Sequence, residues 1–414
     1  MPKQAQKSET MKDQWYFFAL SNYLDLHKLS WNAIVCACLK VTSLTHLQTA
    51  SLALRNVLGS FETISANASY GLDTSPMVKQ SGTNYSLVWS KPILHPFHKI
   101  PFHSYVVSAY RNVHTQKLHS SYDLGVDGFQ FKYRFPMLSE IWGLAQNEFN
   151  YDLIWREIKN AAPTASFEVR EQVGHALKSS ISHVLTYDTR DDPMLPRRGT
   201  LFRAASEVSG FNIPSGDSTV GLGGNVNHLK HESTLSRTTS LDILRLPTFT
   251  LTNTLKLGSL IPISPSESTH LSERFLTGGP LSIRGFEMHG LGPTAPRFDT
   301  GTLRFDSAIG RDGLGSNTYY GFSSGLMFPL LPRWKTKDVR GHLWANAGSG
   351  LDDLASSESI LKKLRDSSSI CIGAGLALKF SIIRLEINYC LPVRVISSDR
   401  VKSGWQWGVG MEFM

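Results

Sequence analysis

The sequence lacks any apolar run long enough to cross a bilayer as a helix. Its best stretches, Trp15–Leu20 and Ala33–Leu39, fall far short of the ~20 residues required. Charge is scarce too: only 18% of residues are charged against ~25% in ordinary soluble domains, and hydrophobic residues reach 41%. A chain poor in both must cover itself with Ser, Thr, Asn, Gln, Gly and aromatics, as β-rich proteins do. Cysteine is rare. Cys36, Cys38, Cys371 and Cys390 have no framework spacing, which excludes a disulfide-stapled domain, and Cys36-x-Cys38 lacks the second ligand pair of a zinc site. The opening MPKQAQKSETMKDQ is polar and free of arginine, so it predicts neither a secretory signal nor a cleaved presequence. The 414 residues include 42 Lys and Arg against 34 Asp and Glu, a net charge of +8, but no compact basic tract points to nucleic acid.

What is present is alternation. From about residue 48 onward, stretches of eight to twelve residues alternate apolar and polar, each ending in a Gly, Pro, Asn or Ser cluster. Every second side chain then shares a strand face. In the final stretch Trp405, Trp407, Val409, Met411 and Phe413 fall on one face, and Gln406, Gly408, Gly410 and Glu412 on the other. Leu385, Ile387 and Tyr389 oppose Arg384, Glu386 and Asn388; Leu343, Ala345 and Ala347 oppose His342, Trp344 and Asn346. The pattern predicts roughly fifteen strands, mostly of ten to twelve residues. Soluble strands have a mode of about five or six, whereas a tilted strand crossing a bilayer needs about nine to eleven. Length decides for a membrane barrel.

Two stretches break the rhythm. Residues 163–175 predict a short helix in a loop, and residues 262–317 a connection too long for a turn and therefore functional or disordered. The first 46 residues do not alternate, so the sequence predicts a barrel over 47–414 behind an atypical segment 1–46, in which Trp31–Thr42 reads as a short helix or a poor strand.

The long connection carries Arg274-Phe-Leu-Thr-Gly-Gly-Pro-Leu-Ser-Ile-Arg-Gly-Phe286, then Glu-Met-His-Gly-Leu-Gly-Pro293. Elsewhere stand Gly174-His-Ala-Leu-Lys-Ser-Ser-Ile-Ser-His183, Tyr187-Asp-Thr-Arg190, Leu195-Pro-Arg-Arg-Gly199, Asn346-Ala-Gly348 and Arg384-Leu-Glu-Ile-Asn-Tyr-Cys-Leu-Pro392. In this order, on this strand pattern, the chain resembles the outer-membrane assembly superfamily that includes bacterial BamA. Within it the match is to the mitochondrial branch, the barrel subunit of the sorting and assembly machinery.

The resemblance implies an all-β fold: a transmembrane antiparallel β-barrel of about 16 strands, with the long loop folded into the lumen. Gly278, Gly279, Pro280, Ile283, Arg284, Gly285 and Phe286 would form a tip docked on the inner wall. Arg284 presents a planar fork of donors that needs acceptors wherever it is shielded from water. The alternation turns Glu386 and Asn346 inward as candidates. Because the superfamily often has an aspartate where Asn346 stands, Glu386 is the stronger. The resemblance also implies a β-signal, Gln406-Trp-Gly408-Val-Gly-Met411-Glu-Phe413, with Gln406, Gly408, Met411 and Phe413 at its defining positions in the seam-forming last strand.

The function implied is insertion and assembly of β-barrel precursor proteins into the mitochondrial outer membrane, through a lateral seam between first and last strands. It requires no cofactor and no metal. Implied partners are the precursors, metaxin-like peripheral subunits, an inner-membrane organising complex and the lipid bilayer, with no nucleic acid. Family members carry a soluble POTRA module before the barrel; segment 1–46 does not resemble it, which implies a shortened form. A passive channel or an inactive shortened paralogue are alternatives on the same architecture.

Enzyme readings are weaker. Gly321-Phe-Ser-Ser-Gly325 matches a nucleophile elbow, but Leu326-Met-Phe-Pro-Leu-Leu-Pro332 follows, where the elbow needs a helix. His95, His98 and His103 sit beside Pro96 and Pro101 as a polar turn, and Gly221-Leu-Gly-Gly224 lacks the strand–helix frame of a dinucleotide site.

Overall fold

In the computed structural model the alternating stretches become one continuous antiparallel sheet. The described residues are 15–16, 36–44, 47–59, 61–71, 82–93, 103–115, 117–139, 143–210, 212–215, 218–241, 249–263, 269–302, 304–330, 339–352, 362, 366–380, 383–410 and 413–414. In chain order the first strands are β1 (Trp15–Tyr16), β2 (Cys36–Leu44), β3 (Leu47–Arg55), β4 (Thr63–Gly71), β5 (Gly82–Ile93) and β6 (His103–Thr115). After helix α1 (Lys117–Ser120) come β7 (Asp123–Ser139) and β8 (Gly143–Lys159). Helix α2 (Phe167–Glu171) falls where the sequence predicts a short helix, and β9 (Gly174–Asp188) and β10 (Gly199–Ser209) follow. A small hairpin, β11 (Asn212–Ser215) and β12 (Ser218–Gly221), precedes β13 (His228–Leu241) and β14 (Phe249–Pro262). The long connection holds a second hairpin, β15 (Thr294–Asp299) and β16 (Arg304–Gly313). The last strands are β17 (Thr318–Pro329), β18 (Val339–Leu351), β19 (Ser369–Phe380), β20 (Ile383–Arg394) and β21 (Gly404–Gly410).

Leaving out the two hairpins, each strand pairs with its predecessor and successor in a 17-stranded sheet, of which β1 has only two residues. The other sixteen form an up-and-down meander, which is barrel topology. Among the described residues no ladder joins β21 to β2.

The alternation decides the two faces. Leu87, Phe129, Leu153, Trp155, Leu257, Phe322, Leu343, Leu391 and Val409 lie exposed on the outside. So broad an apolar band would be a liability in water and is the lipid-facing surface of a barrel. Inward-facing Asp152, Lys178, Ser180, Ser236, Thr254, His342 and Glu386 are buried, because the long connection occupies much of the lumen. At the loop-bearing end Tyr122, Ile158, Val169, Leu271, Ala295 and Leu314 pack as a cap. At the other end the 189–198 turn tucks Leu195 against Met327 and Ala377, and Arg340 donates to the Pro196 carbonyl at 3.1 Å.

Two sequence expectations need adjustment. Strand β2 pairs with β3 over its whole length, so the sheet begins upstream of residue 47. The continuously apolar run Ala33–Leu39 hides the period of two there, and most of segment 1–46 lies outside the described residues. Phe413 does not share the outward face of β21: its ring lies 4.9 Å from the Arg384 guanidinium, inside the barrel. The Gly321–Gly325 motif lies wholly within β17, where Ser323 serves the wall as described below.

Candidate functional site

The inner wall from β17 to β21 is a seat cut for the loop tip. Its inward positions are small. A Cβ on Gly348 would stand 2.2 Å from Ile283 Cδ1, and one on Gly408 would stand 2.8 Å from Pro280 Cβ. At the tip itself Gly285 has φ of 88°, and its missing Cβ would lie 2.2 Å from Cys371 Sγ. No other residue tolerates both the backbone and the approach. Ile283 and Phe286 are fully buried against Leu291, Trp344, Cys371, Cys390 and Met414.

Arg284 anchors the tip. Its Nε donates to Glu386 Oε2 at 2.8 Å and its Nη2 to Oε1 at 3.1 Å, the bidentate fork expected of arginine with a carboxylate. Nη1 donates to the Met414 main-chain oxygen at 2.7 Å. Glu386 also takes Arg384, and Asn388 donates to it at 3.0 Å. The Asn388 carbonyl in turn accepts from Trp344 Nε1 at 3.0 Å and meets His342 Nε2 at 2.6 Å. Asn346, with its amide turned to satisfy both atoms, accepts from the Arg284 backbone N–H at 2.8 Å and donates to Ser323 Oγ at 2.8 Å. Both expected wall partners are therefore used: Glu386 holds the side chain, Asn346 the backbone.

The last strand holds the tip as well. Gln406 accepts from Gly285 N–H at 2.9 Å and donates to the Phe286 carbonyl at 2.8 Å. Gly408 and Gly410 face Pro280 and Leu281. Lys402 N–H donates to the Gly285 carbonyl at 2.9 Å and Met414 N–H to the Leu281 carbonyl at 3.2 Å. Met411 lies outside the described residues.

A second anchor, which the sequence did not reveal, lies at the loop base. In the 3₁₀ turn Leu271–Glu273, Glu273 meets Arg156 from β8, and Lys178 from β9 at 3.1 Å. Lys178 also pairs with Glu207 of β10 at 2.5 Å, His228 of β13 meets Glu207 at 2.9 Å, and Lys230 donates to the Glu273 carbonyl at 2.8 Å. Burial by itself would raise the Glu273 pKa, but the charges of Arg156, Lys178, Lys230 and His228 outweigh it and hold the carboxyl well below the usual range. Glu207, His228 and Glu273 bring ligand-type atoms within 4.8 Å of one another. Lys178 already supplies the cation bridging the two carboxylates. Beyond the tip, burial and the charges of His119 and Arg400 push the His289 pKa down to about 4.

A family model described as the Omp85 superfamily domain matches residues 56–413, a span that includes both anchors and every wall strand from β4 to β21. The chain belongs to the Omp85 superfamily. Within it, the Sorting and assembly machinery component 50 homolog of Mus musculus is 32% identical over 372 residues, covering 88% of this chain and 69% of that protein. The Homo sapiens homolog is 31% identical over 370 residues, with the same two coverages. A SAM50-like protein of Schizosaccharomyces pombe is 30% identical over 368 residues, again with 88% and 69% covered. Among solved structures, BamA from Haemophilus ducreyi lacking POTRA domains 1–3 aligns with a TM-score of 0.65 at 15% identity, covering 88% of this chain and 67% of that one. That alignment shows the shared Omp85 barrel.

Proposed function

We propose that this Omp85 protein inserts and assembles β-barrel precursor proteins in the mitochondrial outer membrane, through a lateral seam between its first and last strands. The observation that carries the reading is the match along 88% of the chain to relatives named as sorting and assembly machinery components, over the residues that form the loop seat. No bond is made or broken. In hydrocarbon, unpaired backbone groups cost several kcal/mol each, so a strand edge offered within the membrane is a strong template for another strand. Gly404, Gly408 and Gly410 weaken the packing of β21. Gln406 and Met414 tie it to the loop from inside, which holds its position while a precursor strand adds to its free edge. A lumen filled by Ile283 and Phe286 favours assembly over passive conduction.

Metaxin-like peripheral subunits and an inner-membrane organising complex belong to the same reading, and co-purification after mild solubilisation tests them. The deciding experiment expresses this chain in cells depleted of their component 50 protein and follows porin assembly. Rescue is expected; membrane-integrated protein without rescue overturns the reading. Disulfide cross-links from positions 405–409 to precursor terminal strands test the seam itself.

A further inference from the structure

Between the loop tip and the 189–198 turn the lumen leaves a partly open chamber of about 400 Å³. Five cationic side chains line it, Arg190, Arg203, Lys256, Arg284 and Arg384, against two carboxylates, Glu148 and Asp188. Both carboxylates are already engaged, Glu148 with Arg134 at 2.5 Å and Asp188 with Arg190 at 2.8 Å. Arg284 and Arg384 share Glu386. Arg203 and Lys256 have no ion-pair or hydrogen-bond partner among the described residues.

The ladders place these two cations symmetrically. Arg203 of β10 stands opposite Thr234 of β13, and Thr234 opposite Lys256 of β14. Their Cα atoms are thus two strand spacings apart, about 10 Å, and their long side chains can converge over Thr234. One inward rung away, Ser236 and Thr254 share a 2.9 Å hydroxyl bond, with Ser323 beside them. Arg384, only 7% exposed, also lines the chamber, and its buried Nε has no acceptor.

Two like charges held near one another without a counter-ion repel, and an anion offering several acceptor oxygens relieves that repulsion. We propose that this chamber is an oxyanion site that binds a phosphate group between Arg203 and Lys256. Arginine grips two phosphate oxygens, lysine contributes a point charge, and the hydroxyls of Thr234, Ser236 and Thr254 donate to the rest. The group arrives as free phosphate or as an anionic lipid headgroup. The proposal is independent of the assembly reading, because neither Arg203 nor Lys256 belongs to the loop seat.

The test uses the full chain in phosphatidylcholine nanodiscs, titrated with inorganic phosphate and followed by calorimetry and phosphorus NMR. One saturable site per chain is expected. Arg203→Gln with Lys256→Gln should weaken it by about 100-fold and each single change by about tenfold, so the single variants serve if the double one fails to insert. Arg190→Gln, whose charge already faces Asp188, should change it less than about threefold. Nanodiscs containing phosphatidic acid separate the sources: competition with soluble phosphate assigns a lipid headgroup, and unchanged affinity assigns the free anion. Absence of saturable binding, or equal losses in the Arg190 and Arg203 variants, overturns the proposal.

Discussion

The long loop is fastened at two buried points of opposite polarity. At the tip the loop brings the cation, Arg284, and the wall brings the carboxylate, Glu386. At the base the loop brings the carboxylate, Glu273, and the wall brings Arg156, Lys178 and Lys230. A loop slipped or threaded backwards would push Arg284 among those cations and Glu273 towards Glu386. Buried ion pairs add little net stability, but mispairing them is expensive, so the two anchors specify register more than strength. They also differ in redundancy. At the tip, the Arg284 fork, three backbone bonds from Gln406 and Asn346, and the buried Ile283 and Phe286 all converge on a few residues. At the base, Glu207 shares Lys178 and His228, so those two keep a carboxylate when Glu273 is lost, and Arg156 keeps the Ser272 hydroxyl.

The largest effect is therefore expected at the tip. Arg284→Ala leaves Glu386 with Arg384 as its single ion-pair partner and frees the Met414 oxygen, a loss of about 3–5 kcal/mol in loop docking. The loop should become protease-sensitive in the membrane-inserted protein and porin assembly should fall sharply; full protection together with normal assembly would refute the seat.

Glu273→Gln should cost less, about 1–3 kcal/mol, because Glu207 still neutralises Lys178. Limited proteolysis should then open the segment near residues 269–276 while the Arg284 region stays protected. A loss equal to that of Arg284→Ala would show that the base is not redundant.

The smallest effect concerns pH. In the folded loop burial and the neighbouring positive groups hold His289 neutral down to about pH 4, against an ordinary value of 6.5. The folded loop thus binds fewer protons than the released one across that range. Its stability is full above 6.5 and declines as pH falls towards 4. Glu273 stays ionised through this window, since its carboxyl is held well below the usual range. Loop protection measured from pH 7 to 4.5 should decline in the parent and flatten in His289→Gln; parallel curves would assign the decline to another group.

Much of the tip was legible because its parts are contiguous and its partner obeys a local rule. Arg284-Gly-Phe286 is a single motif, and a period of two puts Glu386 and Asn346 on the inward face whatever the barrel's exact shape. Gln406 was legible as a last-strand position, but its grip on Gly285 and Phe286 was not. Phe413 was misplaced because the alternation assigns it to the outward face, whereas its ring lies inside the barrel against Arg384. The base anchor has no comparable signal. Arg156, Lys178, Glu207, His228 and Glu273 are each unremarkable locally, and meet only when four strands curve round to the same end of the loop.

By itself the sequence determined the approximate strand count, the face of most side chains and the identity of the inserted loop, because pleat and turn chemistry act over a few residues. Only the tertiary structure decided which inward charges become neighbours, which of them are neutralised and which, like Arg203 and Lys256, are left facing a shared chamber without a counter-charge. Curvature and strand stagger set those distances, and neither is written in any one stretch of chain.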